Sequence, residues 1–96
     1  MRVIVGPEAR AEFLEAVAWY GRRSPRSARG FVEDFKDTRT RLGRNPERWP
    51  EIRPECRRIL FRKYPYALVY SIESDHMFVI AIMHQKREPG YWQDRR

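Results

Sequence analysis

The spacing of apolar residues changes once along this chain, at Asn45-Pro46, and that change limits the folds open to it. Before it, apolar side chains recur at helical intervals. Ala9, Phe13, Ala16, Val17 and Tyr20 fall at i, i+4, i+7, i+8 and i+11, one stripe of a helix running from Gly6-Pro7 to about Arg22. Pro7 suits a first helical turn, where its missing N–H would have no partner anyway, and Glu8 lies at the positive end of the helix dipole. Ser24 is a natural N-cap and Pro25 a natural first residue for a second helix, reaching about Arg44. Its stripe is Ala28, Phe31, Val32, Phe35 and Leu42, interrupted at Thr38 and Arg39, which predicts a less buried far end. Joined through Arg22–Ser24, the two helices form an antiparallel hairpin. Asn45-Pro46 ends it, because the residue before a proline resists helical geometry.

After the break the period is that of strands. Arg57–Phe61, Tyr66–Ile72 and Met77–Met83 read as three strands, with Pro65 interrupting the first link and Glu73-Ser74-Asp75 forming a tight turn in the second. In the middle one Tyr66, Leu68, Tyr70 and Ile72 face one way, and Ala67, Val69 and Ser71 the other. Short links make the three an antiparallel meander. The last strand, apolar on both faces, is expected to be central. Met1–Val5, rich in β-branched residues, adds a further strand at an edge, and Glu47–Glu55, with Trp49, Pro50 and Pro54, is expected to be an ordered loop. The reading is one α+β domain over residues 1–96, in the order β-α-α-β-β-β. A helical hairpin packs on one face of a small, twisted, mostly antiparallel sheet.

Twenty Lys and Arg stand against 13 Asp and Glu, a net charge of +7 carried mostly by arginine. A polyanionic partner, plain solubility, a GC-rich genome and an acidic protein partner all account for such a balance. Cys56 is the single cysteine, so no disulfide closes within the chain, which suits a reducing cytoplasm. The opening residues lack the apolar run of a secretion signal, and Met77–Met83 is too short to span a bilayer. Cys56, His76 and His84 are the only soft metal ligands and do not lie at ligand spacing, so neither a metal nor another cofactor is expected.

The densest positive cluster is Arg57, Arg58, Arg62 and Lys63, which Lys86 and Arg87 join if the strands pair as described. One reading is a phosphate-binding floor on the open face of the sheet; the other is a solvated edge guarded against aggregation. Arg87 lies close in sequence to His84 and Tyr91, a set with parts for acid–base cleavage of RNA. Tyr91 and Trp92 can stack on bases or cap the open end of the core, the second being the commoner fate of such rings.

Several of these pieces together resemble the RelE/ParE superfamily of toxins. The resemblance is carried by Asn45-Pro46, Arg57-Arg58, the run Phe61-Arg62-Lys63-Tyr64-Pro65-Tyr66, Leu68-Val69-Tyr70, the strand ending at His84, and Arg87-Glu88-Pro89-Gly90-Tyr91-Trp92 with Arg95. Ala9, Phe13, Trp19-Tyr20, Ala28 and Phe31-Val32 extend it through the first half. The resemblance implies the toxin of a type II toxin–antitoxin pair, acting in the cytoplasm. A cognate antitoxin would silence it in a hetero-oligomer. RelE-like members cut messenger RNA on the ribosome, and on that pattern Arg58, Arg62, Arg87 and Tyr91 would be catalytic. ParE-like members inhibit DNA gyrase and are not nucleases. The chain has only three lysines, a long hairpin and a Pro89-Gly90-Tyr91-Trp92 ending close to ParE-like and plasmid-stabilisation proteins, so the resemblance leans to that branch. There, Arg58, Arg62, Lys63, His84, Lys86, Arg87, Tyr91 and Trp92 would contact the target.

Overall fold

A computed structural model describes residues 2–95, so Met1, expected to begin the first strand, and Arg96 lie outside the described residues. The elements are β1 (Arg2–Val5), α1 (Pro7–Arg23), α2 (Pro25–Arg44), β2 (Glu51–Arg53), β3 (Cys56–Leu60), β4 (Tyr66–Ile72), β5 (His76–His84) and a closing 3-10 turn (Gln93–Arg95). Ser24 serves both helices. Its N–H donates to Tyr20 O at 3.0 Å, closing α1, and its Oγ accepts from Ser27 N at 3.0 Å, opening α2. One residue between two prolyl-started helices thus makes the hairpin corner.

The sheet runs β1-β5-β4-β3-β2, with β1 parallel to β5 and every other pair antiparallel. Two expectations need correction. Glu47–Glu55 is not all loop: Glu51–Arg53 pairs with β3, giving five strands where four were expected. The free edge of β3 demands partners, and Arg58 N also donates to Pro50 O at 3.1 Å. Pro50 and Pro54 favour a loop, yet a three-residue edge strand fits between them. The second correction concerns α2, whose far end is well buried: Thr38 and Leu42 have no exposed surface. The Thr38 hydroxyl is satisfied within the helix, donating to Asp34 O at 2.8 Å. β5 is an interior strand, flanked by β1 and β4, although β4 occupies the middle of the sheet.

A bulge sets the two faces of β5. Val69 pairs with Ala81 and Tyr70 with Val79, which leaves Ile80 as the extra residue. Met77, Val79 and Ile82 consequently face the helices, while Ile80, Ala81 and Met83 face the other side. The helix side is dominated by rings. Phe13 lies 4.7 Å from Phe35, Tyr20 5.5 Å from Phe31, and Phe31 5.0 Å from Tyr66, centroid to centroid. Tyr70, fully buried, donates its hydroxyl to Pro46 O, and Arg57 Nη1 donates to Glu47 O (3.0 Å) and Trp49 O (2.7 Å), so the segment after α2 is pinned to the sheet. The opposite face carries a smaller core of Cys56, Ala67, Val69, Ile80, Ala81 and Met83, closed by Trp92.

Candidate functional site

The C-terminal segment is held at an edge that β1 leaves open. β1 follows β5 only as far as Val5 opposite Val79, with Gly6 N donating to Val79 O at 2.9 Å. Beyond that point polar backbone groups of β5 need other partners. Glu12 of α1 supplies one: its Oε1 accepts from Ile82 N at 3.0 Å. The same carboxylate accepts from the Tyr91 hydroxyl at 2.6 Å and from Arg95 through two nitrogens, at 2.8 and 3.1 Å. Arg95 Nη1 also reaches Ile80 O at 3.4 Å. Only 13% of the Glu12 side chain is exposed, so these donors take the place of water around its oxygens.

Arg87 stands over this hub. Its guanidinium lies 3.9 Å from the centre of the Tyr91 ring and 4.0 Å from Glu12 Oε2, yet more than half of its side chain is exposed. Tyr91 holds its proton well above the ordinary tyrosine range, first because it is buried and then because its hydroxyl bonds Glu12. Donation to Glu12 raises the Arg95 pKa and keeps that guanidinium charged. His84 packs edge-on to Tyr66 at 5.1 Å, and its Nδ1 accepts from Lys86 N at 3.1 Å. Glu12, Trp19, Tyr20, Tyr66, His84 and Arg87 line one cleft between α1 and the end of β5.

The other arginines expected at the site are elsewhere. Arg57 and Arg58 occupy opposite faces of β3: Arg57 pairs with helix-facing Tyr70, and Arg58 with Val69 of the second core. A common floor of Arg57, Arg58, Arg62 and Lys63 therefore does not form, because neighbours along a strand point apart. Arg58 lines a cleft with Trp92 on the second face. Arg62 turns toward α2, 3.7 Å from Asp37 Oδ2. The β3–β4 loop that carries Arg62 and Lys63 wraps around Asp34, whose carboxylate accepts from Arg62 N (3.2 Å), Lys63 N (2.8 Å) and Tyr64 N (2.8 Å). Only His84, Lys86, Arg87 and Tyr91 are gathered in one place. Trp92 is 3% exposed and belongs to the core, the commoner fate weighed for it. Cys56 is buried and unpaired, and together with His76 and His84 it occupies three separate positions in the sheet.

The model of the ParE toxin of type II toxin–antitoxin systems (parDE) matches residues 3–89. The chain belongs to the ParE toxin family. A solved structure described as the chromosomal ParDE TA system from P. aeruginosa superposes with a TM-score of 0.71 over 88% of this chain and 95% of that one. At 14% identity it establishes the shared fold and no more. No curated protein sequence matches at a significant level. Within this ParE-family fold, Glu12 and Asp34 are the polar residues that reading along the sequence missed. A signal was present for both. Glu12 falls three residues after Ala9 and four before Ala16, and Asp34 three after Phe31 and four before Thr38, so each carboxylate sits on the buried stripe of its helix. An acid at such a position needs a specific set of donors.

Among the described residues no helix is long and apolar enough to cross a membrane.

Proposed function

We propose that this chain, as one domain over residues 1–96, arrests growth in the cytoplasm by binding and poisoning DNA gyrase without being an enzyme. A cognate antitoxin neutralises it. The observation that carries the reading is the state of Tyr91. Its hydroxyl is committed to Glu12 and keeps its proton, so Tyr91 is poorly placed to exchange a proton with a phosphodiester. Arg58, Arg62 and Arg87, the partners a nuclease would need beside it, are divided among three surroundings. What remains outward is a basic and aromatic surface: Arg87 stacked on Tyr91, with Lys86 exposed and His84 half-buried beside it. Such a surface suits recognition, where arginine and tyrosine contribute most of the binding energy. Arg58, Arg62 and Lys63 are assigned to secondary contacts, while Trp92 acts by supporting Tyr91 from within the core.

Family membership supports the antitoxin, as does a groove along the hairpin where Val17, Ala28, Val32 and Tyr64 meet solvent, with Leu14 of α1 exposed as well. An amphipathic antitoxin segment fits a face of this kind. The test is expression of the chain alone with an SOS reporter, alongside purified gyrase. Growth arrest with SOS induction, and stabilised gyrase–DNA cleavage complexes that Arg87→Ala weakens, are expected. Arrest without SOS, together with messages cut within ribosome-bound codons, would overturn the reading in favour of a ribosome-dependent endoribonuclease.

A further inference from the structure

On the face of the sheet away from the helices, β2, β3 and the C-terminal turn enclose a cleft of about 120 Å³, whose lining includes Arg53, Arg58, Met83, Pro89, Gly90 and Trp92. We propose that Arg53, Arg58 and Trp92 form a notch for a single carboxylate of an acidic partner polypeptide. Three observations meet there. The side chains of Arg53 and Arg58 have no hydrogen-bond or ion-pair partner among the described residues, whereas Arg57, one position before Arg58, is fastened to two carbonyls. Trp92, buried to 3% exposure, has an indole Nε1 with no acceptor. Gly90 takes φ +80, a conformation that L side chains rarely adopt, and the Arg53 guanidinium lies against this turn.

The two guanidinium groups are donors without an acceptor, so the notch is complementary to an anion, and Trp92 forms part of its wall. Guanidinium groups match the two oxygens of a carboxylate in a parallel pair of hydrogen bonds. Its size admits one such group. The walls decide between anions: Met83, Pro89 and the Trp92 ring offer an apolar surround, which suits an Asp or Glu set among apolar residues. A nucleic-acid strand presents successive phosphates and is met by a continuous cationic groove with stacking platforms instead. The notch opens beside β2, the outermost strand, at a margin an extended polypeptide can reach. Assigning the occupant to an acidic polypeptide rests on the antitoxin reading above; the notch itself does not.

The experiment uses the full chain labelled with ¹⁵N, its three indole N–H resonances assigned through single Trp→Phe variants. The probe is the peptide acetyl-Leu-Glu-Leu-amide, with acetyl-Leu-Gln-Leu-amide and inorganic phosphate as comparisons. The Trp92 indole resonance is expected to shift saturably with the Glu peptide and not with the Gln peptide, while that of Trp19 stays still. In the Arg53→Gln/Arg58→Gln variant, whose changes lie on accessible side chains and whose other indole resonances report the fold, affinity should fall about tenfold or more, the size of losing a charge-assisted hydrogen bond. An equal response to both peptides, or none, overturns the notch. Tighter binding of phosphate than of the Glu peptide overturns the carboxylate assignment. Gyrase poisoning is read separately, so its failure with peptide binding intact would sink only the function proposed above.

Discussion

Removing the Glu12 carboxylate takes the acceptor from Ile82 N, the Tyr91 hydroxyl and the Arg95 guanidinium together. Arg95, with 18% of its side chain exposed, is then a charge short of a partner. Glu12→Ala is expected to lower the unfolding free energy by about 2–4 kcal/mol in urea denaturation, toward the range for breaking a buried ion pair. Arg87→Ala should change it by less than about 0.5 kcal/mol, as exposed substitutions do, although both residues touch the same hub. Similar losses for the two would contradict the assignment of Glu12 as the anchor and Arg87 as the contact. Alkaline pH acts on the same region. Burial raises Tyr70 from 10.0 to about 12, and burial with the Glu12 bond raises Tyr91 as well. Raised tyrosines bind their protons more tightly folded than unfolded. Their contribution is therefore complete below the unfolded value near 10 and is lost as pH rises toward the folded values. The denaturation midpoint should hold up to about pH 10 and fall above it, and Tyr70→Phe with Tyr91→Phe should flatten that fall. A midpoint equally steep in the double variant would place the titration elsewhere.

Between β3 and β4, the loop owes its shape to a helix rather than to its own sequence. Asp34 receives three consecutive amides, Arg62, Lys63 and Tyr64, and Tyr64 is fixed a second time through its hydroxyl, which donates to Ser27 O at 2.7 Å. Gly30 makes room for that ring, since a Cβ there would collide with the Tyr64 hydroxyl. Asp34→Ala is expected to speed hydrogen exchange at those three amides by about tenfold or more, with a stability loss of about 2 kcal/mol. Unchanged protection would mean that Pro65 and the strands hold the loop unaided. β2 teaches the same lesson from the other edge. Pro50 and Pro54 are local signals for a loop, and they are correct about local preference. Glu51–Arg53 becomes a strand because β3 beside it needs hydrogen-bond partners, which no local spacing reveals.

At the scale of the molecule, residues after β5 are a working part of the fold. Trp92 and half-buried Tyr91 cover Ala67, Val69, Ile80 and Ala81, which would otherwise form an apolar face open to water. A chain ending at Gly90 should bind a hydrophobic dye, melt well below the full chain and self-associate in size-exclusion chromatography. A truncated chain that stays monomeric with an unchanged melting midpoint would make the segment an appendage.

The helical stripes, the Ser24-Pro25 corner, the break at Asn45-Pro46 and the alternation of Tyr66–Ile72 rest on neighbours in sequence. They were therefore legible as a hairpin followed by strands, and the ordered pieces of the second half were enough to resemble the family. The same reasoning left one floor open to four basic residues, because proximity in sequence does not bring strand and loop side chains to one face. Glu12 meets Ile82, Tyr91 and Arg95 across separations of 70, 79 and 83 residues. Those contacts exist because β1 stops at Val5 and leaves an edge that α1 and the chain's end must close. Apart from β2, the elements follow from local spacing and turn chemistry, which the sequence alone determines. Which carboxylate meets which arginine, and so which basic residues stay free to meet a partner, was decided by the unmet hydrogen bonds of the assembled sheet.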